Sequence, residues 1–279
     1  TRGLPADIFD AGLATVHGTN VCYCPVADAL GVVLPSNSPG VNSLWIPAVA
    51  MKIPIVIKPG SEEPWTPWRI IQALIAAGCP AEAFSYYPTS HAGADDIVQT
   101  CNAAIVFGDR TVAERYAHRP HVNIHGPGHS KVIVDNRELS RYFDFIDVLV
   151  DSVCANGGRS CINASTIVCL GPADELAQAL ATRLKAIAPR QLDDPQAQLS
   201  AFANPLTADY IDAQIEDGLK TPGAVELTAG ESPRRCELDG SVFMRPTVVR
   251  CDDFTHPLSN REFLFPYVAV VESSRERVL

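Results

Sequence analysis

The sequence predicts an α/β fold made of two units of mostly parallel sheet covered by helices. Three observations carry that expectation. Short apolar runs bounded by turn residues alternate with helical patterns through the first half of the chain. A hydrophobic helical run, Phe143 to Val153, then leads through two glycines to Cys161 and a fresh apolar strand. Finally, 279 residues at 47% hydrophobic and 19% charged exceed one typical domain and can bury a large core. Residues 1–150 and 151–279 are the expected domains.

Taken in order, Val21 to Cys24 and Gly31 to Leu34 read as strands, the second a continuous apolar run suited to burial on both faces. The loop Pro35-Ser36-Asn37-Ser38-Pro39-Gly40 follows, then a helix over Ser43 to Met51. Ile53 to Lys58 is a second buried strand. Trp68 to Ala77 reads as a helix with Pro67 at its start and Gly78 at its end. Ala103 to Phe107 is a strand, Thr111 to Ala117 a helix, Val122 to Ile124 a strand, Lys131 to Asp135 a strand, and 138–153 a helix. After Cys161 come a strand at Thr166 to Leu170 and a helix at Ala173 to Ala188, whose acidic start and basic end complement its dipole. An irregular stretch occupies 189–208. Beyond it lie a helix at Ala208 to Leu219, strand-like pieces at Ala224 to Thr228 and Val242 to Val249, and a last strand at Tyr267 to Val271. Right-handed crossovers would leave the strand-end loops bearing Asn37, Lys58, Gly108 and His125 on one sheet edge, where open α/β sheets bind ligands.

Composition narrows the function. A net charge of -10 disfavours a nucleic-acid surface, which needs clustered Lys and Arg. No apolar run is long enough for a bilayer, and the first residues lack a basic region followed by an apolar one, so a cytoplasmic protein is expected. The nine cysteines are scattered, with no Cys-x-x-Cys pair and no histidine at zinc-finger spacing, so no metal site is expected and free thiols fit a reducing compartment. No Gly-x-Gly-x-x-Gly turn is present.

The most informative stretch runs from Cys154 to Ser165. Gly157 and Gly158 permit a sharp turn that would present Cys161 among small neighbours. Alone, it reads equally as a connector containing a packed thiol.

Four stretches together resemble the aldehyde dehydrogenase superfamily: Pro35-Ser36-Asn37-Ser38-Pro39, Ile57-Lys58-Pro59, Asn156 to Cys161, and Met244 to Val248 followed by Glu262-Phe263-Leu264-Phe265-Pro266. The resemblance implies two Rossmann-like units, NAD or NADP as cofactor, an aldehyde or acyl-CoA as substrate, and a dimer or tetramer. It implies that Cys161 is the nucleophile, that Asn37 and the Cys161 backbone N–H stabilise the oxyanion, and that Lys58 and Glu262 contact the two cofactor riboses. Gly108 falls near the pyrophosphate, followed by Asp109, whose charge is unexpected there. Ser61 stands where an acidic residue often holds the NAD ribose, which leaves NADP open. Ordinary roles stand beside these: Asn37 a turn residue, Lys58 a solvated strand end, Glu262 a surface carboxylate.

The water-activating glutamate of the hydrolytic members is absent. His125-Gly126-Pro127-Gly128 occupies its place, and His125 is either a base or a loop residue. Residues Gly126 to Asp135 resemble the corresponding loop of the CoA-acylating branch, so CoA is the expected acyl acceptor or donor. A hydrolytic dehydrogenase and a catalytically silent nucleotide-binding relative are the alternatives. Against the family the chain is short, lacking much of the usual N-terminal region and the C-terminal segment.

Overall fold

The computed structural model describes residues 8–191 and 193–278. It divides into two compact units, one ending at Pro127 and the other beginning at Gly128.

In the first unit, Leu13–Val16 (β1) and Thr19–Cys22 (β2) form an antiparallel hairpin. The main sheet comprises Leu30–Val33 (β3), Ile55–Lys58 (β4), Phe84–Tyr86 (β5), Ala103–Phe107 (β6) and Val122–His125 (β7). They lie in the order β5-β4-β3-β6-β7, and every pair is parallel. From β3 the chain builds outward through β4 and β5, then returns to the other side of β3 for β6. That reversal of direction is the switch point at which α/β sheets take ligands.

Alternation along β3 fills two cores. Val32 packs with Ile55, Ile57, Ile71 and Trp45, while Val33 faces the cluster of Val98, Val106 and Tyr116. The helices Trp65–Ala76 and His91–Thr100 supply Ile71 and Val98. The strand Phe84–Tyr86 and the helix His91–Thr100 are not among the elements expected from the sequence. Expected as one helix, 43–51 is instead a 3-10 turn, Pro39–Leu44, and a short α-helix, Pro47–Ala50, because Pro47 has no N–H to continue the first turn.

The second unit holds Lys131–Val134 (β8), Thr166–Cys169 (β9), Ala224–Glu226 (β10), Arg235–Leu238 (β11), Ser241–Met244 (β12), Thr247–Cys251 (β13) and Tyr267–Glu272 (β14). Its main sheet has the order β10-β13-β14-β9-β8, parallel except for β10. On β14, Val268 and Val270 face the core filled by the helices Ile146–Cys154 and Asp174–Lys185. Ala269 and Val271 face the core filled by Pro205–Leu219.

Three expectations differ from the structure. The boundary expected at 150 lies inside the second compact unit, which begins at Gly128 because β8 pairs with β9. The single strand expected over Val242 to Val249 is two strands in different sheets. Pro246, which cannot donate to a ladder, sits between them. The helix expected over 138–153 is broken into Asn136–Leu139, a 3-10 turn at Tyr142–Asp144, and Ile146–Cys154.

Candidate active site

The first unit gathers its candidate residues by strand register. Val33 is paired with Lys58 and with Val106, and Phe107 with His125, so the loops following β3, β4, β6 and β7 share one sheet edge. Asn37 and Ser61 lie in the loops after β3 and β4, Gly108 directly after β6. Asn37 is half-buried and Ser61 exposed. At Gly60 any Cβ would collide with the Pro35 backbone, so the two loops touch only because glycine is there.

Lys58 is only 8% exposed, which excludes the solvated strand end. Burial lowers the pKa of its ammonium, which makes no hydrogen bond or ion pair among the described residues. A buried cation at the carboxyl end of a parallel strand suits a polar ligand with hydroxyl or phosphate oxygens, so this edge fits a nucleotide cofactor. Asp109 does not oppose that fit as its charge suggests. Its carboxylate accepts from the Val112 N–H at 3.0 Å and caps the helix Arg110–Tyr116, while Arg110 pairs with Glu114 at 2.9 Å. The His125 ring stacks on Phe107, with centroids 4.7 Å apart, and Gly108 donates its N–H to the His125 carbonyl at 3.1 Å. The His125 Nε2 is buried with no partner among the described residues.

In the second unit the chain leaves the helix Ile146–Cys154 through Asn156, Gly157 and Gly158, whose φ angles are 55°, 66° and 68°. The Gly158 turn lies against the backbone of Phe265 and Pro266, leaving no room for a side chain. The expected sharp turn before Cys161 is thus present. What holds it was not anticipated. Asn163 Oδ1 accepts from the Ser160 N–H at 2.9 Å, and Nδ2 donates to the carbonyls of Ser152 at 3.2 Å and Ala155 at 3.0 Å. One amide therefore ties the loop to the helix it leaves. The Ser130 hydroxyl donates to the Cys161 carbonyl at 3.1 Å, and both the hydroxyl and N–H of Ser165 donate to the Ser130 carbonyl. Arg159 extends across the Phe202 ring, 5.1 Å from its centroid, and donates to the Ala201 carbonyl.

Cys161 is half-buried beside the exposed Ile162. Burial, then the negative charge of Glu262, raises its thiol pKa. Glu262 lies on the long connection from β13 to β14. That connection is fixed where Thr166 Oγ1 donates to the Ser259 carbonyl and the Tyr267 hydroxyl donates to the Leu258 carbonyl, each at 2.7 Å. The Glu262 Oε2 accepts from the Gly128 N–H at 2.5 Å, so this carboxylate is not a free surface group. Among the other thiols, Cys154, Cys169 and Cys251 are buried and pushed up to about 12 by desolvation. Cys22 and Cys24 are exposed, with their sulfurs 4.0 Å apart.

The sequence profile of the aldehyde dehydrogenase family matches residues 16–277. The chain belongs to the aldehyde dehydrogenase family. Geranial dehydrogenase of Castellaniella defragrans is 24% identical over 261 residues, covering 88% of this chain and 52% of that protein. The 2-hydroxymuconic semialdehyde dehydrogenase of Pseudomonas sp. strain CF600 is 24% identical over 233 residues, covering 78% of this chain and 47% of that one. Among solved structures, betaine aldehyde dehydrogenase from Staphylococcus aureus in complex with NAD+ superposes with a TM-score of 0.78 at 18% identity, over 95% of this chain and 55% of that chain. That likeness shows the aldehyde dehydrogenase fold. The chain spans about half the length of the curated relatives it matches. Among the described residues no helix is long and apolar enough to cross a membrane, and no group of three or more His, Cys, Asp or Glu is placed to hold a metal.

Proposed function

We propose that the protein oxidises an aldehyde with NAD or NADP through Cys161 and releases the acyl group to water as a carboxylic acid. The observation that carries this reading is the nucleophile loop, where Ser130 and Asn163 bond the backbone around a half-buried thiol, after a turn whose Gly157 and Gly158 leave no room for a side chain. As thiolate, Cys161 adds to the aldehyde carbon to give a thiohemiacetal, and loss of hydride from that carbon leaves a thioester. The cofactor, when bound, accepts the hydride. Lys58 would hold it through oxygen atoms at the buried strand end, with Ser61 and Gly108 on the same edge, and Asn37 is assigned to the oxyanion by resemblance. Self-association is proposed on the same footing.

Transfer to CoA rests on the loop Gly126 to Asp135 alone, and the relatives are named as aldehyde dehydrogenases with no mention of CoA, so water is taken as the acceptor. The test follows NAD(P)H absorbance of the full-length protein with aldehydes of graded length, with and without CoA, beside Cys161→Ala. Turnover without CoA that is lost in Cys161→Ala is expected. Turnover only with CoA would return the acylating reading, and no turnover in either condition would leave a silent relative.

A further inference from the structure

The loop at 125–128 carries no acid, yet hydrolysis of a thioester needs a base close to the acyl carbon. We propose that Glu262 is that base, an inference that rests on the hydrolytic reading above. A point one Cβ out from Gly128 lies 2.9 Å from the Cys161 Cα and 2.9 Å from the Glu262 Oε1. The carboxylate and the Cys161 main chain therefore flank one glycine, within one unit of the fold, and the carboxylate's charge reaches the thiol. Oε2 is held by the Gly128 N–H, which leaves Oε1 available to a water on the Cys161 side. No ion pair neutralises Glu262 among the described residues, and the adjacent Arg261 is turned to Gln214.

The charges suit the sequence of events. While the thiol is free, the carboxylate opposes its ionisation. Once the sulfur is acylated it bears no charge, and that opposition is gone. Glu262 then takes a proton from water as the water oxygen bonds to the thioester carbon. The carbon–sulfur bond breaks, its electron pair stays on sulfur, and the proton passes from Glu262 to the Cys161 sulfur. The carboxylic acid leaves, with the thiol and carboxylate restored.

An activated ester, p-nitrophenyl acetate, tests this without cofactor, because it acylates the cysteine directly. Glu262→Gln keeps an oxygen for the Gly128 N–H, so the loop should survive. The expected result is a retained burst of one p-nitrophenolate per Cys161, followed by a steady rate about 100-fold or more below the parent. Intact mass should show acetyl remaining on Cys161, and Glu262→Asp should recover part of the rate. A Glu262→Gln protein with unchanged steady hydrolysis overturns the proposal. So does loss of the burst together with loss of Cys161 alkylation, which would mark a structural role, or a parent protein no better than Cys161→Ala. If Glu262 served only a cofactor ribose, ester hydrolysis without cofactor would be unaffected. Failure of the NAD(P)H assay with ester hydrolysis intact would remove the redox reading and leave this one standing.

Discussion

The sheet edge of the first unit and the nucleophile loop of the second are assembled by different forces. Strand register sets which loops, those after β3, β4, β6 and β7, share the edge, and a particular residue is needed where Gly60 lets two of them touch. The nucleophile loop depends on particular residues: glycines in left-handed conformations and one asparagine whose amide makes three bonds. Substitutions at the edge away from Gly60 should therefore change ligand affinity and spare the fold, while substitutions in the loop should damage both.

The largest effect is expected from Gly158→Ala, which needs a side chain at φ 68° against the Pro266 backbone. A loss of about 3 kcal/mol or more is expected in denaturant unfolding, with Cys161 activity abolished. Asn163→Ala should cost about 2 kcal/mol and slow Cys161 alkylation at fixed pH. Asn163→Asp should not restore it, because a carboxylate can accept from Ser160 but cannot donate to Ser152 and Ala155. Those reactions need a Cys22→Ser, Cys24→Ser background, since both thiols are exposed. Either variant leaving the loop intact would dissolve the contrast between the two regions.

On the edge, Lys58→Met should leave the unfolding midpoint unchanged or slightly raised, because it removes a buried charge with no partner among the described residues. The KM for NAD(P) should rise about 10-fold, the size expected for one charge-assisted contact. Asp109→Ala should cost about 1 kcal/mol through the lost helix cap, with little change in cofactor affinity. A large gain in affinity instead would mean that Asp109 faces the cofactor.

The same difference decided what was legible in the sequence. Ala103–Phe107 was readable to the residue because five apolar positions between turn residues leave few alternatives. The edge positions of Asn37, Lys58, Gly108 and His125 followed from strand order. The role of Asn163 was not readable, since it depends on where the helix end leaves the carbonyls of Ser152 and Ala155. Glu262 was visible only as a family position. Its bond to Gly128, 134 residues away in sequence, is a product of the fold. Of the hairpin β1–β2, only the end of β2 falls within the strand expected at Val21 to Cys24; β1 leaves no apolar run to read, because no position in the hairpin is buried.

The smallest effect concerns pH. The Cys161 thiol pKa is raised, so its alkylation should rise with pH and reach half-maximum above the range of an ordinary thiol. Glu262→Gln removes a negative charge beside it and should move that midpoint downward. A midpoint that does not move would separate the carboxylate from the nucleophile and weaken the neighbourhood on which its role as base depends.

The most direct measurement mixes the full-length protein with an aldehyde and NAD or NADP, quenches within one turnover, and maps any acyl adduct by peptide mass. An acyl group on the peptide containing Cys161, formed in step with NAD(P)H and absent from Cys161→Ala, is the predicted result. NAD(P)H formed at an undiminished rate by Cys161→Ala, or an adduct confined to another cysteine, would contradict it.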